Sequence, residues 1–170
     1  MSPASIASIV EFAVMTKVLM VCMGNICRSP MAQTVAQSLA AKAGLSHLKF
    51  DSAGTHAPHL KERPDLRAEA ALLSHGYSMG RIRSRRITLK DFEKFDQILA
   101  MDSRNLADLR RLCPPEHLNK LSLFLDSAQE LNETEVPDPY FGNAQGFERV
   151  LELCEAGARG WIRHWSGPAA

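Results

Sequence analysis

The run KVLMVC at residues 17–22 limits most strongly what this chain can fold into. After Lys17 it is apolar without interruption, so it shows none of the in–out alternation of a half-exposed strand. That suits a strand covered on both faces, as in the centre of a parallel sheet. Downstream, Ser29 and Pro30 form a helix-start pair, with the serine as cap and the proline at the first helical position. MAQTVAQSLAAKAG then carries the helix to Gly44, a C-terminal stop. The same strand-then-helix unit recurs. HLKFDSAGT (47–55) reads as a second strand, and PDLRAEAALLSHG (64–76) as a helix with Asp65 near its start and Gly76 past its end. TLKDFEKF (88–95) reads as a short helix, DQILAMD (96–102) as a third strand, SRNLADLRRLC (103–113) as a helix and NKLSLFL (119–125) as a fourth strand. A last helix runs from Gln145 to Trp165. Its Phe147, Val150, Leu151, Cys154, Ala158, Trp161, Ile162 and Trp165 share one face. The alternation predicts an α/β fold: a three-layer, four-stranded parallel sheet with right-handed crossovers and helices on both faces. Ligands of such sheets sit beyond the carboxyl ends of the strands. That directs attention to VCMGNICRSP, residues 21–30.

A chain of 170 residues is enough for one domain, expected over 15–170. Residues 1–14 are expected to be an extension, disordered or added by a start codon read too early. MSPASIASIVEFAVMTK lacks a basic leader and contains Glu11 and Lys17, so it is a poor signal peptide. No apolar run reaches the roughly 20 residues that span a membrane. A formal net charge of +1 gives no reason to expect nucleic acid as a partner. Cys22, Cys27, Cys113 and Cys154 are too few and too scattered for a disulfide framework, which fits a reducing, cytoplasmic setting. The basic run RIRSRR (81–86) reads as a solvated face. His56, His59 and His75 need no ligand role.

Two cysteines in one loop, followed at once by Arg28, admit three readings: a metal clip, a disulfide, or a loop that grips an anion while a thiolate attacks it. Zinc would need about four ligands in paired spacing, and here C-x4-C has no second pair, so no metal or other cofactor is expected. A dinucleotide loop is equally poorly supported, because G-x-G-x-x-G is absent. Cys22 as a buried small hydrophobe ending its strand leaves Arg28, Ser29 and the helix start unaccounted for. The anion loop accounts for all of them. A short loop entering a helix turns backbone N–H groups inward, and the helix N-terminus adds partial positive charge. Arg28 supplies a planar fork for two phosphate oxygens. The same field favours thiolate over thiol at Cys22. Gly24 is expected to allow a tight turn. Asn25 is expected in a left-handed conformation, tying the loop with its amide. Ser29 can donate its hydroxyl to the Cys22 sulfur.

C-x5-R-S, as CMGNICRS after VLMV, resembles the active-site loop of the low molecular weight protein tyrosine phosphatases. DSAGTHA resembles the second-strand signature of their bacterial members. FDQILAMDSRNLADL resembles their third strand and following helix, and PDPYFG (137–142) their acid loop. The resemblance extends from Thr16 to the last helix.

It implies hydrolysis of phosphotyrosine and aryl phosphate monoesters in proteins or peptides, with inorganic phosphate as an inhibitory product. Cys22 would attack phosphorus in line with the ester oxygen. Loop residues Met23, Gly24, Asn25, Ile26, Cys27, Arg28 and Ser29 would bind the phosphoryl group. Asp138 would be the general acid and then the base that activates water against a phosphocysteine. An Asp-Pro pair is also a common turn, which is the competing reading of Asp138. Tyr140 and Phe141 would wall the cleft. Where the family commonly has an aromatic opposite them, counting gives Pro58, with His59 as a substitute, and Ile26 would lie at the cleft floor. Asp102 reads from the residues as a helix cap and by resemblance as a support of the loop, together with Asn25 and Ser29. Cys22 and Cys27 are a candidate redox pair, able to form a disulfide if the loop brings their Cα atoms within about 7 Å. Alternatives on the same fold are a protein arginine phosphatase, which commonly carries Thr at the position of Ile26, and a thiol-dependent arsenate reductase, which needs two further relay cysteines. A phosphopeptide-binding module without activity would be expected to lose the nucleophile or the acid.

Overall fold

The apolar run becomes β1 (Thr16–Cys22), an interior strand of a sheet ordered β2-β1-β3-β4. Its partners are β2 (Leu48–Gly54) and β3 (Gln97–Ala100), and β3 pairs in turn with β4 (Leu121–Leu123); all pairings are parallel. The computed structural model describes residues 15–166, so the expected extension at 1–14 lies outside the described residues. β1 is buried on both sides, as the absence of alternation predicts. Val18, Met20 and Cys22 enter one core, and Leu19 and Val21 enter the other. At about 1.5–3 kcal/mol for each large aliphatic side chain buried, both faces contribute to holding this strand.

The first core is covered by α1 (Arg28–Lys42), α2 (Leu66–Ser74) and α5 (Ala144–Trp165). The second is covered by α3 (Leu89–Lys94) and α4 (Ser103–Leu112), through Phe92, Leu106 and Leu109. Three layers therefore form around a four-stranded parallel sheet. The register places Cys22 opposite Gly54, and Val21 opposite Ala100. The carboxyl ends of β1, β2 and β3 thus meet at one edge.

Three expectations are corrected. α1 opens at Arg28, with Cys27 in the cap position and no side-chain cap bond. Ser29 and Pro30 lie inside its first turn, because the serine hydroxyl is drawn to the site below. β3 is shorter than 96–102, since Asp102 leaves the sheet to cap α4. β4 is only three residues long. A 3-10 turn at Pro115–Lys120 precedes it. The Asp126 carboxylate then accepts the Leu123 N–H at 3.1 Å and bends the chain into a second 3-10 turn, Phe124–Ser127.

α5 packs against that turn through Gly157 and Gly160. A Cβ on Gly157 would overlap the Phe124 ring, and one on Gly160 would overlap Ser127. Trp161 completes the contact by donating Nε1–H to the Phe124 carbonyl at 2.7 Å. Helix propensity alone favours Gly157→Ala by about 1 kcal/mol. The overlap reverses the sign, and the variant is expected to lose about 1–3 kcal/mol, read as a lower thermal midpoint. A raised midpoint would show that α5 has room to shift.

Candidate active site

The loop between β1 and α1 closes around the Cys22 sulfur. The Asn25 N–H points to Sγ at 3.3 Å, and the Ser29 hydroxyl lies 3.0 Å from it. Asn25 is the left-handed residue, with φ of 55°. Gly24 lies in a bend without a left-handed φ. A Cβ there would stand 3.8 Å from Ile26 and 4.0 Å from Pro58, so the missing side chain keeps space between them. The buried Asn25 side chain ties the loop on three sides. Its Nδ2 donates to Ser29 Oγ (2.8 Å) and Ser52 Oγ (3.0 Å), and its Oδ1 accepts the Arg85 N–H (2.9 Å). Ser52 in turn donates to Gln33 at 2.6 Å.

The start of α1 has no side-chain cap, so the N–H groups of Arg28 and Ser29 lack intrahelical acceptors. They add to the positive end of the helix beside the sulfur. The Arg28 side chain is 4% exposed. Its Nη1 donates to Asp102 at 2.5 Å and to the Val136 carbonyl at 3.1 Å. Burial works against its charged form, but the Cys22 sulfur and Asp102 outweigh that, and its pKa lies above the ordinary arginine value. Asp102 also accepts the Asn105 N–H at 2.8 Å as cap of α4, so one carboxylate serves the helix start and Arg28.

Asp138 faces the same guanidinium, with Oδ2 at 3.8 Å from Arg28 Nη2. Its other oxygen accepts the Tyr140 N–H at 3.1 Å. The turn reading of Asp138 is therefore realised, and its carboxylate also lines the cleft above Cys22. Met23, Gly24, Ile26, Cys27 and Arg28 line the same cleft. Pro58, His59, Tyr140 and Phe141 complete the lining. The His59 and Tyr140 rings are 6.3 Å apart between centroids. Phe141 is 94% exposed and packs edge-on to Tyr140 at 4.9 Å. Asn25, Ser29 and Asp102 stand behind the lining. Cys27 is buried, and that burial, followed by Asp65 and Cys22, pushes its thiol pKa up. Among the described residues, no group of three or more His, Cys, Asp or Glu side chains is placed to hold a metal ion. No helix there is long and apolar enough to cross a membrane.

Residues 17–166 match the family model of the low molecular weight phosphotyrosine protein phosphatases. The chain belongs to this family. Among curated relatives, a low molecular weight protein-tyrosine-phosphatase of Streptomyces coelicolor is 43% identical over 150 residues, covering 86% of this chain and 91% of that protein. Among solved structures, a low molecular weight phosphotyrosine phosphatase from Vibrio cholerae is 39% identical. It superposes with a TM-score of 0.85 over 91% of this chain and 99% of that one. A Drosophila arginine phosphatase, 30% identical, also superposes at 0.85, over 91% and 100% of the two chains.

Several groups around this family site were not evident from the sequence. The Val136 carbonyl that holds Arg28 is a backbone atom. Gly54 lets the Met23 carbonyl pass where a Cβ would come within 2.6 Å, and only the pairing of Cys22 with Gly54 reveals this. Gln33 and Ser52 read as ordinary helix and strand residues until Asn25 joins them. Asn25 carries two separable loads, its conformation and its bonds. Asn25→Ala and Asn25→Gly both lose the bonds, but only alanine bears the left-handed penalty of about 1–2 kcal/mol. Urea unfolding is expected to find the alanine variant less stable than the glycine variant by about 1 kcal/mol. Equal stability would mean that the loop relaxes out of this conformation.

Proposed function

We propose that this chain hydrolyses phosphotyrosine in proteins or peptides, and aryl phosphates generally, through a phosphocysteine on Cys22. The observation that carries the reading is a buried sulfur at the foot of a cleft, 3.0 Å from the Ser29 hydroxyl, with Arg28 beside it and Asp138 above. A phosphoryl dianion between the loop N–H groups and Arg28 presents phosphorus to Cys22 in line with the ester oxygen. The donors are already in place and stabilise charge on the equatorial oxygens as the transition state forms. Arg28 is oriented by Asp102 and Val136, so its free edge needs little reorganisation. Asp138 protonates the leaving phenolate, then removes a proton from the water that attacks the phosphocysteine. Its position across from Arg28 and beside the aromatic wall supports both roles. Inorganic phosphate fits the same loop and is the expected competitive product. The buried free thiols support a reducing, cytoplasmic setting.

Ile26 supports the tyrosine reading over phosphoarginine, because its branched side chain lines the cleft where the arginine phosphatases commonly carry Thr. An arsenate reductase would need two relay thiols near Cys22. Cys113 and Cys154 belong to cores on opposite sides of the sheet, which disfavours that relay. The redox reading of Cys22 and Cys27 is retained as part of the proposal. Peroxide oxidises the Cys22 sulfur to a sulfenic acid, and the Cys27 thiol displaces water from it to form a disulfide. The raised Cys27 thiol is expected to make that second step slow.

Hydrolysis of phosphotyrosine, phosphoarginine and phosphoserine peptides, compared side by side with arsenate reduction as a control, tests the substrate class. Phosphotyrosine is expected to be turned over fastest, and Cys22→Ser to turn over none of them. Preference for phosphoarginine, or turnover by the serine variant, would overturn the assignment. Asp138→Ala is expected to slow aryl phosphates with poor leaving groups by roughly 10²–10⁴-fold and those with good leaving groups far less. Equal losses across the series would reduce Asp138 to a turn residue.

A further inference from the structure

The nucleophile loop and the acid loop come from opposite ends of the chain, yet Asp138 must stay in reach of whatever Cys22 attacks. Arg28 touches only the stem of the acid loop, at Val136, and reaches Asp138 itself at 3.8 Å. A second arginine stands beside Tyr140. Arg67, in the first turn of α2, donates Nη2–H to the Tyr140 carbonyl at 2.9 Å. Its guanidinium lies 5.6 Å from the Tyr140 ring centroid and 4.7 Å from that of Phe147, at the start of α5. The far edge of the guanidinium is taken by Asp65. Nε and Nη2 reach the two Asp65 oxygens at 3.0 and 2.8 Å, a fork-to-fork pair. Asp65 also caps α2 by accepting the Arg67 N–H at 2.8 Å. Its own backbone N–H donates to the Ile26 carbonyl at 2.8 Å. Arg67 beside Asp65 holds that carboxyl below the usual carboxylate range.

These contacts form one continuous path. Ile26 of the nucleophile loop holds Asp65, Asp65 holds Arg67, and Arg67 holds Tyr140. The Tyr140 N–H in turn holds the Asp138 carboxylate at 3.1 Å. On the reading of Asp138 as general acid, we infer that Arg67 is a positioning residue. It sets the acid and the Tyr140 wall relative to the nucleophile loop and touches neither the phosphoryl group nor the leaving oxygen. The two ends of the path bear on the two groups that act on opposite sides of phosphorus. A change of about 1 Å in such a relation is enough for a large loss of rate. Lysine cannot replace the fork, because an ammonium that reaches the carbonyl no longer pairs with both Asp65 oxygens.

The test is kcat/KM across a series of aryl phosphates of graded leaving-group basicity, for wild type, Asp138→Ala, Arg67→Met and Arg67→Lys, with thermal unfolding of each. Arg67→Met keeps an apolar stem over Phe147 and removes the fork. It is expected to lose roughly 10- to 100-fold on poor leaving groups and little on good ones, so that its dependence steepens toward that of Asp138→Ala. Arg67→Lys is expected to fall between the two, since one bond to the Tyr140 carbonyl can survive. A loss by the same factor at both ends of the series, or no loss, would overturn the positioning role. If Arg67→Met shows no cooperative unfolding, the slope of Arg67→Lys decides by the same criterion. A wild type and Asp138→Ala of equal slope would overturn the acid assignment and this inference with it. A steeper Asp138→Ala beside a uniform loss at Arg67 would overturn this inference alone.

Discussion

A guanidinium with 4% of its side chain exposed cannot stand in a protein interior without partners, because losing its hydration costs several kcal/mol. Arg28 has two: the Asp102 carboxylate at 2.5 Å and the Val136 carbonyl at 3.1 Å. Much of the architecture around the cleft follows from that requirement. Asp102 follows β3 and caps α4, so the β3–α4 unit delivers the counter-ion at the carboxyl edge where β1–α1 delivers the arginine. Val136 begins the approach to the acid loop, and its N–H donates to Met101 next to Asp102. Pairing Arg28 therefore brings three separate parts of the chain to one point.

The sulfur is served by a different set of groups. β1 is gripped on both faces, so Cys22 enters the loop from a rigid strand. The loop is locked by Asn25, which is bonded to Ser29, Ser52 and the Arg85 N–H. Cys27 holds the cap position of α1 and makes no side-chain cap bond, while the Ser29 hydroxyl in the first turn lies by Cys22. A cap would raise local stability by about 1 kcal/mol, and its absence leaves N–H groups for an anion. Local stability is lost at the place where the proposed mechanism holds the phosphoryl group.

The sheet and most helices were legible because their signals are local. The uninterrupted apolar run marks a central strand, and Gly44 and Gly76 mark helix ends, with φ of 72° and 84°. The loop was legible because Cys22, Asn25, Arg28 and Ser29 each have a chemical reason to be there, and because the family resemblance adds the acid loop. What failed were inferences in which one local preference lost to another contact. Ser29 was expected both to cap the helix and to meet the Cys22 sulfur, and only the second is seen. β4 was expected longer, but Asp126 takes the Leu123 N–H and curls the strand away. Val136 could not have been found, because a carbonyl has no signature in the sequence. Asp65 was visible as a helix start, but its link to Ile26 crosses between loops that only the fold brings together.

On the proposed mechanism these features serve one chemical event, the transfer of a phosphoryl group to the Cys22 sulfur. Rapid mixing with a phosphotyrosine peptide, a denaturing quench and peptide mapping by mass spectrometry test it most directly. The account predicts a transient phosphoryl group on the peptide that contains Cys22, attached to that sulfur and not to Cys27 or Ser29, which forms before free phosphate accumulates. Turnover with no phosphoryl group on Cys22 at any time, or with a phosphoryl group on another residue, would contradict it.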